Sequence, residues 1–127
     1  MCELKANELR SGNFFINELG HIDKISAYYI HELEMFNNNP RYRSISKHFK
    51  PVLLNEELFL ALGFEKHSTN PFWFRKRNLC ISLVGCVELI SWDMQIFKID
   101  TKIDFAHQLQ NLYQLLYNEE LTHQKIN

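Results

Sequence analysis

Six histidines and three cysteines are the residues of this chain most able to do chemistry, so their spacing comes first. The histidines stand at His21, His31, His48, His67, His107 and His123. They form no HxH or HxxxH pair, and no cysteine lies at zinc-finger spacing from any of them. Cys2, Cys80 and Cys86 are odd in number and make no CxxC. Secreted disulfide scaffolds usually carry an even and denser set, so free thiols in a cytoplasmic setting are the expectation. Cys80 and Cys86 lie in the most apolar stretch, where a thiol behaves as a small hydrophobe. No GxSxG elbow occurs, and the four glycines make no phosphate-cradling loop. Glu56–Glu57 and Glu119–Glu120 are the adjacent carboxylates, both at expected helix ends. The expectation is a protein that is not an enzyme and uses no cofactor and no metal; a metal- or thiol-dependent enzyme with a composite site is a remaining alternative.

Charge placement is more informative than the net charge of −1. Between Arg41 and Arg77 eight basic residues (Arg41, Arg43, Lys47, Lys50, Lys66, Arg75, Lys76, Arg77) face three acidic ones, a balance of +5. Residues 1–40 and 78–127 each hold three basic and six acidic side chains, a balance of −3. The basic middle also carries Tyr42, Phe49, Phe72, Trp73 and Phe74. Cations neutralise phosphates while rings stack on bases, so this mixture suits RNA, single strands or an acidic protein surface. Against that stands the ordinary fate of strand aromatics, which is the core. Alternation along a strand puts Phe72, Phe74 and Lys76 on one face and Trp73, Arg75 and Arg77 on the other. The candidate partner-binding residues are therefore Arg41, Arg43, Lys47, Lys50, Trp73, Arg75, Lys76 and Arg77.

The elements that must position them read as follows. A chain of 127 residues with 46% hydrophobic and 23% charged residues is sized for one domain with one core, residues 1–127. Asn13–Leu19 reads as a strand, Gly20 as a turn and His21–Ile30 as a second strand, with helix and strand hard to separate over Ser26–Phe36. Asn37–Pro40 is a loop, and Arg41–Phe49 alternates as a weak edge strand. Asn55 caps a helix opened by Glu56 and Glu57 and stopped by Gly63. From Phe72 to Ile99 the composition is β-rich, with Asn78, Gly85 and Asp93 dividing a meander. A last helix starts near Asp104 as N-cap, its apolar stripe being Phe105, Leu109, Leu112, Tyr113 and Leu116, with His107 and Gln110 off that stripe. The expected fold is α+β: an antiparallel sheet of about four to six strands packed against two or three helices, including a C-terminal amphipathic helix. No apolar run approaches the about 18 residues of a membrane span, and the opening residues show no signal peptide.

Three segments carry a resemblance: Glu8-Leu9-Arg10-Ser11-Gly12-Asn13, then Ser46–Asn55 with Glu56-Glu57 through Leu62-Gly63-Phe64-Glu65-Lys66, and His107-Gln108-Leu109-Gln110-Asn111-Leu112-Tyr113 with Glu119-Glu120-Leu121-Thr122. Together they resemble a family of small bacterial phage, prophage and mobile-element proteins with an LRxGN opening, a PLTEEWLLKFGF-like helix and a closing HQLQNLYxALTGEELT-like helix. Ser11 and Tyr117-Asn118 depart from that pattern, and Asp23–Tyr42 is longer and more acidic. The resemblance implies a phage-related accessory protein in the bacterial cytoplasm and brings no catalytic residues. The expectation built on it is an anti-CRISPR inhibitor of an RNA-guided, RNA-cleaving effector of type VI. Its partners would be the host nuclease effector, its guide RNA, or both, with no membrane and the protein a monomer. The alternative is an RNA- or single-strand-binding accessory protein of phage replication.

Overall fold

A computed structural model describes residues 3–124, which form an α+β fold of three α-helices and two antiparallel sheets. They group into two compact units, each assembled from two stretches of chain.

Among the described residues the first unit comprises 3–53 and 105–120. Strands β1 (Phe14–Ile16) and β2 (Ile22–Lys24) make a hairpin in which Phe15 opposes Asp23. β2 ends early because Ser26 turns the chain into α1 (Ala27–Asn38), its hydroxyl accepting from the Tyr29 N–H. A hydroxyl at that position supplies an acceptor for the helix's first turn, and this decides the ambiguous stretch for helix. The segment 41–49 is not an edge strand: Ser44 caps a 3-10 turn over Ile45–His48. The Ser44 and Tyr42 hydroxyls both donate to Glu32, tying the segment to α1. Glu32 holds the Tyr42 phenol above its ordinary pKa, chiefly through that hydrogen bond. Leu4, Ala6, Phe15, Ile25, Leu33 and Phe49 form the core of this region, with the Phe15 and Phe49 rings edge-to-face at 4.7 Å. Helix α3 (Ala106–Tyr117) completes the unit. Its N-cap is Phe105, not Asp104, and the Gln108 carboxamide accepts from the Phe105 N–H, tying the first turn to its cap residue.

Among the described residues the second unit comprises 54–104 and 121–124. Asn55 accepts from the Leu58 N–H at 2.8 Å and starts α2 (Glu56–Ala61), as the sequence predicts. Past Gly63 at φ +87, a conformation that favours a residue without Cβ, the chain enters a five-stranded antiparallel meander. Its strands are β3 (Glu65–Lys66), β4 (Trp73–Lys76), β5 (Leu79–Ser82), β6 (Cys86–Ile90) and β7 (Ile96–Lys102), in that spatial order. The inward face of this sheet carries Phe74, Leu79, Ile81 and Val87, all buried. Phe59 of α2 stacks on Phe74 at 4.7 Å and meets Phe64 edge-on, so one side of the sheet is sealed by aromatic contact. No described helix is long and apolar enough to cross a membrane.

Candidate functional site: an aromatic hairpin tip and two basic segments

The eight sequence-predicted residues divide between the units. Arg41, Arg43, Lys47 and Lys50 belong to the first, where all four are exposed around the 3-10 turn. Trp73, Arg75, Lys76 and Arg77 belong to the second. Alternation on β4 holds: Phe74 points inward, while Trp73 is half-buried on the opposite sheet face beside Cys80, Glu88, Ile90 and Ile96. Lys76 has a structural role, its Nζ donating to the Leu62 carbonyl at 2.8 Å and so closing the C-terminal end of α2. Arg75 is exposed, with its Nε bound to the Arg77 carbonyl. Across the sheet Arg75 continues into a register row of Cys80, Glu88 and Lys98. Two cations, one carboxylate and a thiol make this face mixed in charge. Burial pushes the Cys80 thiol above its ordinary pKa, keeping it protonated and a poor nucleophile.

The largest exposed ring is elsewhere. Trp92, 96% exposed, stands at the tip of the β6–β7 hairpin, with Met94, Ile96 and Phe97 also exposed. The tip is well defined by hydrogen bonds. Ser91 N–H donates to Gln95 O at 2.8 Å, Met94 N–H to Ser91 O at 2.9 Å, and Gln95 N–H to the Ser91 hydroxyl at 3.1 Å. The same hydroxyl donates to the Asp93 carboxylate and holds it below the usual carboxylate pKa. Met94 takes a left-handed conformation, φ +67, which an unbranched side chain tolerates at modest cost. An ordered turn lowers the backbone entropy that a partner must remove when it captures the tryptophan. Sequence reading assigned Ser91–Asp93 only to a strand end and a turn. The available signal was an indole in a turn too short to bury it.

No family model, curated protein or solved structure matches the chain.

The motifs behind the resemblance have a structural role of their own in the first unit. The Leu9–Asn13 turn and α3 are joined by a polar cluster. Arg10 makes a two-point ion pair with Glu120 and donates to the Gln110 carbonyl. Asn13 donates to Asn111 at 2.9 Å, and Asn111 donates to the Glu8 carbonyl at 3.0 Å. Gln110 and His107, which lie off the apolar stripe in the sequence, are both buried. The helix is rotated from its apolar stripe because β1 and the turn before it present backbone groups that polar side chains must satisfy. Leu116 is correspondingly exposed.

His107 is 1% exposed, with Nε2 at 3.4 Å from Glu8 Oε1 and no partner for Nδ1 among the described residues. Burial lowers its pKa, opposed in part by Glu8. The folded state therefore holds the imidazole neutral at a pH where the unfolded chain, titrating near 6.5, takes up the proton. The stabilisation is fully present above that pH and declines as pH falls toward the lowered folded value. The slope for one such group is at most about 1.4 kcal/mol per pH unit. In urea denaturation between pH 7.5 and pH 5.5, the wild type is expected to lose more stability than His107→Leu. Equal losses would remove His107 as the source.

Proposed function

We propose that this chain is a non-enzymatic accessory protein of a phage or mobile element that inhibits a host defence nuclease by direct binding. The RNA-guided, RNA-cleaving effectors of type VI are the first class to test. The observation that carries the binding reading is Trp92, 96% exposed on its ordered hairpin tip, with Met94 of the same tip also exposed. Aromatic residues on a preorganised apolar patch are the usual energetic anchors of protein interfaces. The choice of partner follows the resemblance to phage and mobile-element proteins. Exposed Arg41, Arg43, Lys47 and Lys50, on a segment without an acidic residue, support a separate contact with guide RNA or an acidic protein surface.

The test adds purified protein to a purified type VI effector loaded with guide RNA and follows cleavage of target RNA. Inhibition near one protein per effector is expected. Trp92→Ala should weaken inhibition by about tenfold or more, with an unchanged circular-dichroism spectrum. Full cleavage at excess protein would remove this effector class. Salt-sensitive binding to generic RNA without any effector, abolished by reversing charge at Arg41, Arg43, Lys47 and Lys50, would favour the replication-accessory reading supported by that basic segment.

A further inference from the structure

The β7 strand forms one edge of the five-stranded sheet and is seven residues long, whereas the other edge, β3, has two. Every residue of β7 is exposed except Ile99, which is half-buried. The directions of its backbone groups follow from both ends. Gln95 O accepts from Ser91 and Ile103 N–H donates to Gly85, so both face β6. Alternation then turns the N–H and C=O groups of Ile96, Lys98, Asp100 and Lys102 away from the sheet. The register irregularity between Cys86 and Val87 adds two residues to β7, an even number, so the alternation stays in phase through it.

An open edge of this length needs either a partner or a deterrent. The side chains indicate which partner fits. The strand reads Ile96-Phe97-Lys98-Ile99-Asp100-Thr101-Lys102, and about Ile99 it is complementary to its own inverted copy. In an antiparallel pair with a two-fold axis at Ile99, Lys98 meets Asp100 of the other copy and Asp100 meets its Lys98. The outward-facing residues 96, 98, 100 and 102 then lie opposite 102, 100, 98 and 96, the pattern that lets both edges exchange hydrogen bonds. Phe97 falls opposite Thr101 and Ile99 opposite Ile99, which covers the exposed Phe97 ring. Opposite charges directly across an antiparallel pair stabilise it, and like charges there oppose it.

We propose that β7 is a homodimerisation edge: two copies of this chain pair antiparallel through β7, joining their five-stranded sheets into one of ten strands. This departs from the monomer expected from sequence. It is independent of the identity of any host partner.

Sedimentation equilibrium from micromolar to near-millimolar concentration tests the proposal, with far-UV circular dichroism as the folding control. The wild type is expected to dimerise with rising concentration. Lys98→Asp places carboxylates opposite carboxylates at both crossing pairs, and Asp100→Lys places amines opposite amines. Each should raise the dimer dissociation constant by about tenfold or more. An equimolar mixture of the two single variants restores both opposite-charge pairs and should form a heterodimer that neither forms alone. A wild type monomeric throughout the range overturns the proposal. So does a dimer indifferent to both substitutions, or a mixture of folded variants that stays monomeric.

Discussion

Replacing Gln110 with Leu is expected to destabilise the first unit by about 2–4 kcal/mol, although Leu is the better helix former and the more ordinary core residue. The carboxamide of Gln110 is 1% exposed and serves three groups. Its Oε1 accepts from the Phe14 N–H at 2.6 Å and from Asn13 Nδ2 at 3.4 Å, and its Nε2 donates to the Gly12 carbonyl at 3.2 Å. Leu keeps the volume and removes all three partners. The deficit is then the desolvation of backbone groups that lose their mate, which costs more than a hydrogen bond contributes. Urea denaturation followed by circular dichroism measures it. A loss below about 1 kcal/mol would mean that water replaces the carboxamide at little cost.

Phe59→Ala should cost the second unit about 3–5 kcal/mol. Phe59 is fully buried and lies between the ring of Phe74, nearly parallel to it, and the edge of Phe64. Truncation opens a cavity bounded by two rings and a sheet face, none able to collapse into it without breaking register. Both tryptophans of the chain, Trp73 and Trp92, belong to this unit, so fluorescence reports its unfolding selectively. The single-domain expectation predicts that either substitution shifts the fluorescence and circular-dichroism transitions together. Separate curves for Gln110→Leu would mean that the two units unfold independently.

What was legible in the sequence was local. Asn55, Glu56, Glu57 and Gly63 mark their helix through capping, dipole and chain-reversal preferences that act within a few residues. Asn78, Gly85 and Asp93 divide the meander for the same kind of reason. What was not legible depends on partners far along the chain. The stripe of α3 was misjudged because Gln110 and His107 are buried against groups nearly a hundred positions away, and periodicity weighs only apolarity. The segment 41–49 was misjudged because its Ser and Tyr hydroxyls find Glu32 on α1, and an alternation of side chains cannot register that competitor. For the candidate site, exposure of Arg41, Arg43, Lys47, Lys50, Arg75 and Arg77 followed from charge alone. The half-burial of Trp73, the capping role of Lys76 and the display of Trp92 did not, because each depends on which strand face or turn the residue occupies.

The polar cluster joining the Leu9–Asn13 turn to α3 also sets an order of events during synthesis. Arg10 and Asn13 are made about a hundred residues ahead of their partners Gln110, Asn111 and Glu120. Residues 54–104 carry α2 and the whole meander in one uninterrupted stretch, so their pairings close short loops and can form while the chain is still growing. The amino-terminal hairpin must wait for α3 before its clamp can shut. A released fragment ending at Asp104 is therefore expected to keep a protease-resistant middle while the Leu9–Asn13 turn lacks its α3 partners.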